Sequence, residues 1–301
     1  MNIAVVGLGN IGTVYAAHLA AGGRHRVYAC VRRRPEPLIV DGAFGRVTGE
    51  VEWFNSPSHA PLADWFFLAT KSQDTASAAN WFARLLKPGT RIVVLQNGVD
   101  AEARLEPFRA GATVIPTVVY TNSKRLGPGH VRHMRPEYDL AVPPSRDAEE
   151  LISLFTGTAI RIEQEPEFLT AAWRKFLINL AANPLTAIVG RGIGALRGED
   201  MEQLALQLLE EAAAVGRAQG AKLGPGVARE VLEWMAAFPA DTGTSMLEDR
   251  LAGKPLEYDA LTGAVLRLGS RHGIAMPVNR MVMALLRGIS GVGEKKAPEV
   301  V

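Results

Sequence analysis

Lys175, Asn179 and Asn183 recur at i, i+4 and i+8, a spacing that lines three polar groups along one face of a helix. Their surroundings, Trp173-Arg174-Lys175-Phe176-Leu177-Ile178-Asn179-Leu180-Ala181-Ala182-Asn183-Pro184, are mostly apolar, so that face should be at least partly buried. Lysine is seldom buried without a partner, and asparagine is a mediocre helix former. Three such residues in one line suggest a polar site facing a cleft; a solvated stripe is the alternative. An ammonium there can stabilise a developing alkoxide and give it a proton. Two carboxamides beside it can hold hydroxyl or carboxylate groups of a small polar substrate. Carbonyl reduction would use all three, given a source of hydride.

A site for such a source stands near the start of the chain. Gly7-Leu8-Gly9-Asn10-Ile11-Gly12 fits the pattern G-x-G-x-x-G. The motif alone is weak, but here it follows a strand beginning at residue 2 and opens an amphipathic helix. Gly7 permits the tight turn, Gly9 lets the backbone approach a pyrophosphate, and Gly12 lets helix and strand pack closely. The helix N-terminus, with Leu8, Asn10 and Ile11 between the glycines, supplies N–H donors and a positive dipole end to the phosphates. A purely structural glycine turn is the alternative.

The end of the second strand selects the dinucleotide. NAD-specific folds usually place an Asp or Glu there to accept the ribose 2′-hydroxyl. This chain reads Cys30-Val31-Arg32-Arg33-Arg34, with no carboxylate until Glu36. A carboxylate would repel a 2′-phosphate, whereas a guanidinium can clamp one with two hydrogen bonds. NADP(H) is therefore expected, with Arg32 as first candidate and a solvated basic turn as the alternative. Lys71 and Asn97-Gly98 follow two further strands, where carboxyl ends of parallel strands face a cofactor. Lys71 could approach the adenosine phosphate or ribose and Asn97 the nicotinamide end; a surface charge and a plain Asn-Gly turn are the alternatives.

The elements that must hold these groups follow from patterning. Residues 3–6, 27–31, 65–69, 91–95 and 113–118 are short, β-branched or aromatic runs bounded by turn residues. Helical patterns at 11–21 and 75–86 fall between them. This alternation predicts an α/β fold with a mostly parallel Rossmann-type sheet covered by helices on both faces. Past the turn Gly127-Pro128-Gly129, residues 130–134 and 138–142 read as strands extending that sheet in antiparallel fashion. A helix at 148–155 and a last strand at 159–162 follow. From residue 167 strand signals stop, and helices are expected at 167–189, 199–219, 228–235, 258–272 and 277–287. The expected division is a dinucleotide-binding domain over 1–166 and an all-helical substrate domain over 167–301, with a frayed tail after Gly291.

Composition narrows the partners. The chain has 301 residues, 48% of them apolar and 21% charged, with a net charge of +2. That is the profile of a globular protein, and the charge is too small to imply a nucleic-acid or membrane partner. The single cysteine, Cys30, allows no internal disulfide and suits a reducing compartment. The start of the chain runs straight into Gly7 without a signal-like apolar stretch. The most apolar later stretch, 176–189, is interrupted by Asn179, Asn183 and Pro184, short of the ~20 apolar residues a spanning helix needs. A cytoplasmic protein is expected. The apolar helices after Glu199 could supply a surface for a homodimer.

Taken together, these residues resemble the ketopantoate reductase (2-dehydropantoate 2-reductase) family nearly end to end. The likeness covers the loop at 7–12, Arg32, Lys71, Asn97-Gly98 and Gly127-Pro128-Gly129-His130-Val131. It continues through Lys175…Asn179…Asn183-Pro184-Leu185-Thr186-Ala187, Ser245-Met246-Leu247-Glu248-Asp249 and Glu257. The resemblance implies reduction of a 2-oxo acid, ketopantoate, to pantoate with NADPH. It implies Lys175 as proton donor and Asn179 and Asn183 as substrate holders. Ser245 would contact the substrate carboxylate, and Asn97 would lie between nicotinamide and substrate. Glu257 would anchor the nicotinamide ribose and help orient the lysine. A carboxylate near Lys175 would also keep its ammonium charged and aimed. An N-cap role for Ser245 and a first-turn dipole role for Glu257 are the alternatives. One departure stands out: after Thr186-Ala187 the family often carries an Asn-Gly pair that reaches substrate, whereas this chain reads Gly190-Arg191-Gly192-Ile193-Gly194. That substrate bond is then missing or supplied by Arg191.

Three other readings compete. One is an NADPH-dependent reductase of another 2-oxo acid or an imine. Another is a regulatory protein that binds NADP(H) without turnover, which would have no need of a proton donor. The third is a β-hydroxyacid dehydrogenase; there the catalytic lysine follows an asparagine, while Lys175 precedes both of its own.

Overall fold

A computed structural model of the chain describes residues 1–134 and 137–290. It divides into two compact units, Met1–Phe168 and a second beginning at Leu169. The fraying expected beyond Gly291 lies outside the described residues.

The first unit strings together β1 (Asn2–Val6), α1 (Asn10–Ala21), β2 (Arg26–Cys30), β3 (Leu38–Gly42), β4 (Gly45–Gly49), β5 (Glu52–Phe54) and β6 (Trp65–Leu68). It continues with α2 (Ala79–Leu85), β7 (Arg91–Val94), α3 (Ala101–Leu105), β8 (Thr113–Ile115), β9 (Val118–Val119), β10 (Asn122–Gly127), β11 (His130–Met134), β12 (Leu140–Val142), α4 (Arg146–Leu154) and β13 (Ile162–Gln164). Six strands form a sheet in the order β5-β2-β1-β6-β7-β8, and every pair is parallel. Alternation in β1 serves both faces. Ile3 and Val5 join Val14 and Tyr15 of α1 in one core, while Ala4 and Val6 join Phe66, Phe82 and Ile92 in the other. A parallel sheet buried on both faces needs such continuously apolar strands.

Residues 130–134 and 138–142 were expected to extend this sheet, and they do not. The main sheet has β8 as its edge, and Pro116, with no N–H for a ladder bond, ends that strand. The chain then enters two smaller sheets, β10-β11-β3-β4 and β13-β12-β9. In the first, the hairpins β3–β4 and β10–β11 are joined by parallel pairing of β11 with β3. Beneath it lies a buried polar group: His133 Nε2 donates to Asp139 Oδ1 at 2.6 Å. Tyr15 and Thr121 share a 2.5 Å hydroxyl contact, and the ring of His18 stands edge-on to that of His133.

The second unit is built on α5 (Phe168–Val189), α6 (Glu199–Ala218), α7 (Val227–Ala236), α8 (Ser245–Leu251), α9 (Ala264–Arg271) and α10 (Pro277–Ile289). Helix α5 runs 22 residues through Pro184. Proline removes one rung there, and Thr186 Oγ1 turns back onto the Ala182 carbonyl at 2.7 Å. Residues 258–272 were expected as one α-helix. Instead the segment opens with a π-helical turn, Asp259–Gly263, in which Gly263 N–H reaches the Tyr258 carbonyl at 3.0 Å. The cause is local. The Asp259 carboxylate lies where a Cβ at Gly263 would stand, and Arg267 holds it with contacts of 2.9 and 3.0 Å. Among the described residues no helix is long and apolar enough to cross a membrane.

Candidate active site

The glycine loop is shaped by close backbone approach. Gly7 sits at φ +95°, and a Cβ on it would lie 2.9 Å from Thr70 N. A Cβ on Gly12 would lie 2.1 Å from the Gly7 carbonyl oxygen, so no larger residue fits where α1 packs on the turn. Gly9 differs: it is exposed, and a Cβ there meets nothing within 4 Å. Gly9 is the N-cap of α1, which has no side-chain cap and no acidic residue in its first turn. Leu8, Asn10 and Ile11 are partly buried around it, and Asn10 Nδ2 ties the turn to the Ser123 carbonyl at 3.3 Å. Uncapped N–H groups beside open space form a cradle for an anion, so the residues present fit a dinucleotide pyrophosphate.

Arg32, Arg33 and Arg34 are all exposed just past the end of β2, with Val31 N–H bonded to the Phe54 carbonyl at 3.0 Å. Lys71 is exposed after β6 and Asn97 is partly buried after β7. Gly98, at φ +120°, makes the turn beside Asn97. The residue that binds these two ends together is one the sequence reading passed over. Gln96 is buried, and its Nε2 lies 3.0 Å from the Thr70 carbonyl, 3.1 Å from Thr70 Oγ1 and 3.4 Å from the Lys71 carbonyl. Its only sequence signal is its place beside Asn97-Gly98.

In the second unit, Lys175 and Asn179 are partly buried and Asn183 is buried on α5. Burial lowers the Lys175 pKa from its ordinary value, because desolvation disfavours the ammonium. Asn183 is turned into the protein. Its Nδ2 donates to the Asn179 carbonyl at 3.2 Å. Its Oδ1 accepts Ser245 Oγ at 3.1 Å and Met246 N–H at 3.2 Å. Ser245 is not the N-cap of α8. Thr244 is, its Oγ1 accepting Leu247 N–H at 3.2 Å and contacting Thr186 Oγ1 at 2.7 Å. The hydroxyl of Ser245 is thus spared for Asn183, one residue past the cap. At the other end of α8, Arg250 donates to the last carbonyls of α5, Ala187 and Ile188. Glu257 is 7% exposed and lies in irregular chain just before the π-turn, not in a helix's first turn. Among the described residues no group of three or more His, Cys, Asp or Glu could hold a metal ion.

Two family models cover these two halves. Residues 3–145 match the model described as ketopantoate reductase PanE/ApbA, and residues 167–290 match its C-terminal counterpart. The chain belongs to the ketopantoate reductase family. It is 34% identical to the 2-dehydropantoate 2-reductase of Caulobacter vibrioides, covering 95% of this chain and 98% of that one. It is likewise 34% identical to that of Mycobacterium tuberculosis, covering 96% and 97%. Among solved structures, a PanE/ApbA family ketopantoate reductase from Ralstonia eutropha superposes with a TM-score of 0.86 at 31% identity. That likeness covers 97% of this chain and 99% of the other.

The segment in which this chain departs from the family's pattern, Gly190–Gly194, has a packing explanation. Cβ atoms at Gly192 and Gly194 would stand 2.8 Å from the Ala240 carbonyl oxygen and 2.5 Å from Ala240 Cβ, respectively. Ile193 N–H and Gly194 N–H donate to the carbonyls of Thr242 and Ala240, each at 2.9 Å. The glycines let the segment after α5 press backbone-to-backbone on the turn at 239–242 that leads to Thr244 and Ser245. Arg191, offered as a substitute donor, is exposed on this loop.

Proposed function

We propose that this chain reduces 2-dehydropantoate to pantoate with NADPH. The observation that carries the reading is the α5–α8 arrangement, Lys175, Asn179 and Asn183 on one helix with Ser245 hydrogen-bonded to Asn183, in a chain matched along its length by the two family models. The cofactor class, a nicotinamide dinucleotide, follows from family membership. The choice of NADPH rests on Arg32 and on the lack of a carboxylate at the end of β2.

When bound, NADPH supplies the hydride that reduces the ketone carbon. Gly7, Leu8, Gly9, Asn10, Ile11 and Gly12 would hold its pyrophosphate, Arg32 its 2′-phosphate, and Lys71 and Asn97 its two ends. Glu257 would hold the nicotinamide ribose. Asn179, Asn183 and Ser245 would orient the 2-oxo acid, the Ser245 hydroxyl turning its one hydrogen from Asn183 Oδ1 to the substrate carboxylate. Lys175 Nζ gives its proton to the carbonyl oxygen as negative charge builds there, and regains one from solvent. Partial burial raises the acidity of that ammonium, which suits a proton donor.

The same reading takes the enzyme to be cytoplasmic, supported by one buried cysteine, and homodimeric. Support for self-association comes from Met281, Leu285 and Ile289, exposed at i, i+4 and i+8 on α10; molar mass in solution tests it. The test of function is NADPH oxidation by purified protein with 2-dehydropantoate, beside NADH and a panel of other 2-oxo acids. Turnover on 2-dehydropantoate supports the assignment, and turnover only on another oxo acid moves the substrate. Arg32→Ala should raise KM for NADPH roughly tenfold or more, as loss of a charge-assisted hydrogen bond does, and leave NADH use unchanged. An unaltered preference for NADPH would remove Arg32 from the cofactor site.

A further inference from the structure

We propose that Gln96 is a positioning residue that fixes the carboxyl ends of β6 and β7 at the spacing the dinucleotide requires. The inference rests on the assignment of Lys71 and Asn97 to the cofactor. Parallel pairing of these strands runs through Leu68 and Val94, and the last main-chain bond is Leu95 N–H to the Leu68 carbonyl at 2.9 Å. Beyond it the ladder ends, and the side chain of Gln96 takes over the connection. Besides its contacts to Thr70 and Lys71, Nε2 lies 3.1 Å from Thr75 Oγ1. Oε1 accepts Arg104 Nη2 at 3.2 Å and lies 3.4 Å from Thr75 Oγ1. Arg104 is itself paired with Asp100. One buried carboxamide thus joins three segments: the turn after β6, the turn after β7, and α3.

The chemistry of the position singles out glutamine. Carbonyls at Thr70 and Lys71 demand a donor, and the Arg104 guanidinium demands an acceptor. A carboxamide carries both on one planar group. Methionine matches its length and offers neither, so it takes the donor from two partly buried carbonyls and one acceptor from the Arg104 guanidinium, which keeps Asp100. Glutamate keeps the acceptor but turns a negative oxygen toward two carbonyls. Lys71 and Asn97 flank the network, one beside an accepting carbonyl and the other next in sequence. Loosening Gln96 therefore displaces both without touching the cofactor.

The experiment is a titration of NADP+ against tryptophan fluorescence for the full-length wild type, Gln96→Met, Lys71→Ala and the double variant, with melting temperature as a control. Gln96→Met should bind roughly tenfold more weakly while melting cooperatively. The double variant should lose clearly less than the product of the two single losses, because part of the glutamine's effect passes through the lysine. Losses that multiply across the two sites would overturn the inference, as would Gln96→Met affinity within twofold of wild type. Gln96→Glu gives a readout that packing alone would not move. Its affinity should be poor at about pH 8 and recover relative to wild type on acidification, when the carboxyl becomes a donor. No relative recovery counts against the role, and this variant keeps the test open should Gln96→Met fail to fold. A wild type that bound neither NADP+ nor NAD+ would instead bring down the functional reading itself, and this inference with it.

Discussion

Ser245 Oγ donates to the carboxamide oxygen of Asn183 at 3.1 Å, and the same oxygen takes the N–H of Met246. Two residues assigned to one substrate are therefore bonded to each other, across two helices, before any substrate arrives. Asn183 does two jobs: it serves an N–H in the first turn of α8, and it holds the serine hydroxyl until that hydroxyl's one hydrogen turns to a substrate carboxylate.

Those two jobs separate by mutation. Asn183→Ala leaves a buried N–H without a partner, at a cost of about 1–3 kcal/mol, and should lower the urea midpoint as well as raise the oxo-acid KM. Ser245→Ala leaves that N–H bonded, so it should raise KM with little change in the midpoint. Equal loss of stability in the two variants would mean that the serine, not the asparagine, holds α8 in place.

Lys175→Ala should leave NADPH affinity near normal and lower kcat by about 10²–10⁴-fold, the usual worth of a positioned general acid. The pH profile carries the sign. Reduction needs the ammonium, and burial sets its pKa below the ordinary lysine value. Above that pKa the rate of reduction should fall by about tenfold per pH unit, and this alkaline limb should begin earlier than for an exposed lysine. Wild-type kcat in the alanine variant would end the assignment.

The loop glycines make opposite predictions. Gly9→Ala meets open space, so the fold should hold while the methyl group intrudes on the pyrophosphate and weakens NADPH binding. Gly12→Ala would gain about 1 kcal/mol of helix propensity elsewhere. Here its Cβ falls 2.1 Å from a carbonyl oxygen, and the clash outweighs the gain. Thermal melts should separate the two variants, Gly9→Ala close to wild type and Gly12→Ala well below it.

His18 should govern stability in acid. It is 3% exposed, and burial, then the neighbouring His133, lower its pKa from 6.5 to about 4, with Asp139 opposing. The folded state thus prefers the neutral ring. Its contribution is intact above the unfolded value near 6.5 and is lost as pH falls toward 4, by about 3 kcal/mol in all. Urea unfolding at several pH values should show that slope in the wild type. His18→Leu should flatten it; an unchanged slope would place the acid sensitivity at another group.

The glycine loop, five of the six strands of the main sheet and the long helices were legible because each has a strong period or a special residue at a fixed offset. Strands β3 to β5 were not read at all. They are short, β3 and β4 end on Gly42, Gly45 and Gly49, and all three are only partly buried, so no alternation rises above the loop background. Pro116 was overlooked inside 113–118, where it splits one expected strand between two sheets. The π-turn before α9 depends on a contact between Asp259, Gly263 and Arg267, which helical periodicity does not encode. Gln96 and Thr244 escaped because a lone glutamine or threonine shows its worth only through its partners. On α5 the spacing put three polar groups on one face, but it could not show that Asn183 points into the protein while Lys175 and Asn179 remain partly exposed.

The uncapped start of α1 has a practical side. Its N–H groups and dipole do not distinguish one tetrahedral oxyanion from another, so inorganic sulfate or phosphate should compete with the coenzyme for the same turn. Kinetics in phosphate buffer would then understate the coenzyme's affinity, and chloride at equal ionic strength would not reproduce the effect. Choosing an organic buffer is, for this fold, part of measuring the right constant.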